Sequence, residues 1–154
     1  VRRKIMEKVR ITRHEEFETA HLLPHYDGGC GNLHGHSYKI EVTVEGPRGN
    51  VPFDMVMDFK DLKKAIKAVI PDHMFVYKDG DEISEKIAKV LDEYNLKYVR
   101  YPFFTTAENM AGYFAELIDN YIKAELGYSE VDVVEVNLWE TTNSHATWRK
   151  EDNE

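Results

Sequence analysis

Apolar and polar residues alternate from Tyr38 through Ile40, Val42 and Val44, with Lys39, Glu41, Thr43 and Glu45 between them. That period of two predicts a strand with one buried and one polar face. A second alternation, Val134, Val136 and Leu138 against Glu135, Asn137 and Trp139, predicts another. The segment from about Lys8 to Phe17 reads as their partner. Beyond the turn-forming Gly46, Pro47, Gly49 and Asn50, the short stretch Phe53 to Met57 reads as a further strand. Helical spacing takes over at Leu62, Ile66, Val69 and Ile70, and with Asp58 as N-cap and Pro71 beyond the end it predicts a helix from Phe59 to Ile70. Ile83, Ile87, Val90, Leu91 and Tyr94 mark a second helix. Met110, Phe114, Leu117, Ile118 and Tyr121 mark a third, ending near Gly127. The expected order is β, β, β, α, α, α, β, an α+β fold with a mainly antiparallel four-stranded sheet and helices packed on one face.

Composition narrows the class. With 154 residues, 42% of them hydrophobic, and with no internal repeat or linker-like stretch, residues 1–154 read as a single domain with one core. The 20 Lys and Arg against 28 Asp and Glu disfavour a nucleic-acid backbone as ligand, which needs a basic face. The basic start, Arg2, Arg3, Lys4, Lys8 and Arg10, reads as a solvated terminal segment or as an anion-binding arm. No apolar run approaches the roughly 20 residues of a membrane span, so no membrane partner is expected and a cytoplasmic location is. The single cysteine, Cys30, excludes an intramolecular disulfide.

The candidate chemistry centres on histidine. His34 and His36 stand two apart at the start of a strand, hence on one face, and His21 lies at the end of the first strand region, where a paired strand would bring it close. That is the pattern of an open three-histidine zinc site, although hydrogen-bonded histidines at a strand end give the same spacing. Cys30 lies four residues before His34, in a glycine-rich loop where a thiol has little to pack against. It could be a fourth metal ligand, closing the site, or a base or nucleophile on an open one. Asp72 precedes His73 just after the first helix and could polarise it for proton transfer, or both could lie in a plain surface loop. Thr105 and Glu108 read as a capping box for the third helix. Glu140, in phase with the buried face of the last strand, requires a buried partner or a ligand with paired N–H donors.

Taken in order, Phe17 to His21, Cys30 with His34-Gly35-His36, Met57 to Leu62, Asp72-His73, Thr106 to Asn109 and Trp139 to Thr141 resemble the 6-pyruvoyltetrahydropterin synthase / 6-carboxytetrahydropterin synthase family over most of the chain. The resemblance implies the T-fold, with trimers that close their sheets into a barrel and pair into hexamers, and with sites shared between subunits. It implies Zn2+ on His21, His34 and His36, proton transfer by Cys30, Asp72 and His73, and a pterin ring anchored by Glu140, with Glu108 lining the same pocket. The Cys-x-x-x-His-Gly-His spacing resembles the 6-carboxytetrahydropterin synthase branch, whose pyruvoyl counterpart places its cysteine about two residues further away. The stretch from His73 to Thr106 is longer than in compact bacterial members and is expected to shape the substrate mouth or an interface.

The resemblance therefore implies conversion of 7,8-dihydroneopterin triphosphate to 6-carboxy-5,6,7,8-tetrahydropterin, with acetaldehyde and triphosphate released, as in the queuosine and deazapurine route. The alternatives are the 6-pyruvoyltetrahydropterin synthase reaction on the same pterin triphosphate, or a non-catalytic zinc or pterin-binding module. By charge alone, Lys39 and the basic start are candidates for the triphosphate.

Overall fold

The computed structural model describes residues 7–154. The first three residues of the basic start, Arg2, Arg3 and Lys4, lie outside them. Arg10 is on the first strand, where its Nε donates to Glu45 at 2.8 Å.

Two long strands, β1 (Lys8–His21) and β2 (His34–Pro47), pair antiparallel along their whole length. Alternation in β2 does what its period requires: Tyr38, Ile40, Val42 and Val44 are all fully buried. Helix α1 (Phe59–Val69) starts where Asp58 accepts from the Lys60 N–H, and it buries Leu62, Ala65 and Ile66. After it come β3 (Met74–Lys78), α2 (Glu82–Glu93), β4 (Tyr98–Tyr101), α3 (Ala107–Ala124), β5 (Asp132–Thr141) and β6 (Ser144–Arg149). The sheet runs β4-β3-β1-β2-β5-β6.

The sheet therefore has six strands rather than four, and it is mixed. Strands β1, β2, β5 and β6 are antiparallel neighbours, while β3 lies parallel to β1 and β4 parallel to β3. Parallel neighbours need a crossover, and α2 supplies it between β3 and β4. The helices do not share one face. Val76 of β3 belongs to the main core with Ile66 of α1 and Phe114 of α3, whereas its neighbours Phe75 and Tyr77 pack with Ala88, Ile87 and Leu91 of α2. Alternation along β3 thus places α2 on the opposite side from α1 and α3.

Two further local readings change. Phe53 to Met57 is not a strand: Pro52–Asp54 form a 3-10 turn, joined only by a bridge between Val51 and Met55. In β5 the register slips between Thr43 and Val44 of β2, so that Val133, Val136 and Leu138 are buried and Val134 is displaced from the apolar face. Glu140 remains in phase with Val136 and Leu138. No helix among the described residues is long and apolar enough to cross a membrane.

Candidate active site

Antiparallel pairing builds the histidine cluster directly. His21, the last residue of β1, is the cross-strand partner of His34, the first of β2, and His36 follows on the same face. Ring centroids lie 4.6 Å apart for His21 and His34, 5.2 Å for His21 and His36, and 4.8 Å for His34 and His36. One ligand atom from each falls within 4.8 Å of the other two.

Two of the rings are held in one tautomer. His21 Nδ1–H donates to the Thr105 carbonyl at 2.9 Å, with the Thr105 hydroxyl at 3.1 Å, and His34 Nδ1–H donates to the Asn32 carbonyl at 2.7 Å. Each bond leaves Nε2 as an unprotonated acceptor. The Nε2 atoms of His21, His34 and His36 are all buried without a hydrogen-bond partner. Three buried Nε2 atoms without hydrogen-bond partners, brought together in one place, cost stability unless something occupies it, and a cation that takes nitrogen ligands fits it. Burial, aided by His34, lowers the pKa of His21 to about 4, and burial lowers that of His36 against the opposing pull of Glu140. Neutral imidazole is the ligating form.

Cys30 falls outside this three-residue group. It sits half-buried in the 3-10 turn Gly29–Gly31, whose carbonyl at Cys30 accepts from Leu23 N–H at 2.8 Å. Glycine is required on both sides of it. Gly28 has φ 148°, and a side chain at Gly31 would collide with the Tyr26 carbonyl oxygen.

Glu140 reaches the cluster from β5. Its Oε1 lies 3.2 Å from His36 Nε2, within ion-pair range but not aligned for a hydrogen bond. Glu108, by contrast, is exposed in the first turn of α3, and Thr105 does not cap that helix. Thr106 is the N-cap, accepting from Asn109 N–H, while Thr105 turns inward, buried, to orient His21. The sequence signal for this was the Thr-Thr pair, which leaves open which of the two caps.

Asp72 and His73 form a second centre. Asp72 Oδ1 accepts from the Glu18 N–H at 2.9 Å and from His73 Nδ1–H at 2.8 Å, and those bonds hold its carboxyl below the ordinary range. His73 has φ 57°, and its side chain is 76% exposed with Nδ1 engaged by Asp72. It opens on a cleft of about 490 Å³ whose other polar lining residues are Glu18, Thr19, His36, Ser37 and Lys97. Leu91 and Leu96, from the α2 crossover, stand among its apolar lining with Met74 and Phe75. Cys30 does not line that cleft, and Glu18 and Ser37 project from the sheet face opposite His21 and His36. Within one chain the fold gathers His21, His34, His36 and Glu140, while His73 shares a cleft with His36 but not with Cys30. Lys39 is engaged elsewhere, 3.3 Å from Glu41 and above the Trp139 ring.

Known proteins resemble this chain over most of its length. A 6-carboxy-5,6,7,8-tetrahydropterin synthase of Haemophilus influenzae is 36% identical over 146 residues, covering 92% of this chain and 99% of its own. One from Aquifex aeolicus is 38% identical, covering 79% and 76%. A 6-pyruvoyl tetrahydrobiopterin synthase of Poecilia reticulata is 30% identical, covering 92% and 90%. The fold matches that of a 6-pyruvoyltetrahydropterin synthase of Plasmodium vivax with a TM-score of 0.70 at 18% identity, covering 94% of this chain and 98% of that one. Residues 10–151 match the model of the family described as 6-pyruvoyl tetrahydropterin synthase, and with that span and those identities the chain belongs to this family.

Proposed function

We propose that the protein, acting as a single domain in the cytoplasm, is a zinc-dependent 6-carboxy-5,6,7,8-tetrahydropterin synthase. It takes 7,8-dihydroneopterin triphosphate and releases acetaldehyde and triphosphate, serving a queuosine or deazapurine route. The observation that carries the reading is the trio of buried, partnerless Nε2 atoms on His21, His34 and His36, whose ligand atoms lie within 4.8 Å of one another. The names of the bacterial relatives favour the carboxy product.

Zinc held by the three histidines supplies Lewis acidity to side-chain oxygens of the substrate, making the adjacent carbon–hydrogen bonds easier to deprotonate. Cys30, as thiolate, takes a proton from that side chain. His73, aligned by Asp72 with Nε2 free, exchanges a proton on the other side. Glu140 accepts from the amino and ring N–H groups of the pterin in a bidentate pair. In this reading Glu108, exposed in the first turn of α3, also meets the pterin.

His73 and Cys30 act together only if two copies of the chain share a site. The exposure of His73 and the unpaired outer edges of β4 and β6 support a trimer or pair of trimers in which Asp72 and His73 of one copy face Cys30 of another. The reading is tested by titrating zinc into metal-free protein with dihydroneopterin triphosphate present. Turnover should saturate at one zinc per chain, and the product should have the mass of the carboxy compound. The pyruvoyl mass, or zinc uptake without turnover, would contradict it.

A further inference from the structure

Tyr38 carries a buried hydroxyl that bonds to nothing among the described residues. Its ring is completely enclosed, stacked on Phe17 at 5.0 Å and met edge-on by His36 at 5.4 Å and His21 at 6.2 Å. Phenylalanine would fill the same volume without stranding a hydroxyl, so a packing role leaves the oxygen unexplained. The register that pairs Lys39 with Trp139 brings Tyr38 alongside Glu140 on β5. Both side chains lie on the face that carries the histidines. Glu140 itself rests 3.2 Å from His36 Nε2, one of the three buried, unpartnered Nε2 atoms.

We propose that Tyr38 is a positioning residue whose hydroxyl donates to the Glu140 carboxylate in the ligand-loaded site and so aims that carboxylate at the pterin ring. The inference rests on the reading of Glu140 as the ring anchor. A carboxylate offers about four acceptor directions: two serve the ring N–H groups, and a third is open to Tyr38. A ligand on His36 Nε2 leaves Glu140 without that neighbour, and the Tyr38 O–H is the donor beside it on the adjoining strand. No proton leaves Tyr38, because its part is to hold the carboxylate.

The experiment measures binding of 6-carboxypterin, followed by its fluorescence, to zinc-loaded wild type, Tyr38→Phe, Glu140→Gln and the double variant. Zinc content and the thermal midpoint of each metal-free protein are measured alongside. Tyr38→Phe should weaken binding roughly ten- to hundredfold, as expected for a lost hydrogen bond to a charged group. It should keep one zinc per chain and should not lower the thermal midpoint. In the Glu140→Gln background the same change should add little. Wild-type affinity in Tyr38→Phe overturns the inference, as do losses that simply multiply in the double variant or a lowered midpoint with binding intact. Failure of the wild type to bind the pterin refutes the ring-anchor reading itself, a result distinct from any of these.

Discussion

Acidifying the metal-free protein should destabilise it through His21 more than through any exposed histidine. His21 is 1% exposed, and its pKa falls from 6.5 to about 4 on folding, mainly because burial penalises the imidazolium. Between those two values the unfolded chain binds a proton at this position and the folded chain does not. Stability therefore rises with pH through the window, is complete above about 6.5 and is lost progressively as pH falls toward 4. At about 1.4 kcal/mol for each tenfold change in proton activity, the whole window is worth on the order of 3 kcal/mol, of which about 2 kcal/mol is lost by pH 5. Urea unfolding of metal-free wild type and His21→Asn at pH 7, 6 and 5 reads this directly, because carboxylate effects are common to both. The difference in unfolding free energy between the two proteins should shrink by about 2 kcal/mol from pH 7 to pH 5. A difference that stays constant with pH would show that His21 is charged or solvated in the fold, and the account of the histidine cluster as a pre-formed neutral ligand set would fail.

Thr105→Val keeps the carbonyl that accepts from His21 but removes the hydroxyl, so zinc affinity measured by competition with a chelator should weaken by about tenfold while the fold persists. Unchanged affinity would assign the orientation of His21 to the carbonyl alone. Gly31→Ala drives a methyl group into the Tyr26 carbonyl and must move the Cys30 turn; turnover should drop by about a hundredfold with zinc content intact, and normal turnover would detach the loop geometry from catalysis. Cys30→Ala and His73→Ala should each be inactive with zinc retained. Unfolding and refolding them together should restore about a quarter of the sites if neighbouring copies share them, and no recovery would place both groups in one chain.

The parts of the fold legible in the sequence are those with a long, one-sided pattern. Strand β2 keeps strict alternation because one face is buried throughout, and α1 and α3 keep helical spacing because each covers the sheet with one stripe. Strand β3 is different: at five residues, with Phe75, Val76 and Tyr77 all buried between α2 and the main core, it shows a continuous apolar run with no period to read. Strand β4 has four residues, and β6 buries little at the sheet edge, so neither carried a signal. Placing α2 on the opposite face depended on β3 and was lost with it. The histidine cluster was legible because i, i+2 spacing puts His34 and His36 on one face, and a strand-end His21 joins them in the register that pairs it with His34. What orients it was not, since Asn32 acts through its backbone carbonyl and Thr105 looks like a helix cap. Tyr38 stood in phase with both histidines, yet its phase is also that of an ordinary core residue. The separation of Cys30 from His73 is a property of the folded chain that no spacing in the sequence records.

The central claim is that this chain cleaves carbon–carbon as well as carbon–oxygen bonds of a pterin triphosphate. Quantifying acetaldehyde and triphosphate released from 7,8-dihydroneopterin triphosphate by the zinc-loaded protein tests it most directly. The account predicts one acetaldehyde for each triphosphate. Triphosphate released without acetaldehyde would make the protein a pyruvoyl-type synthase, and release of neither would remove it from catalysis on this substrate.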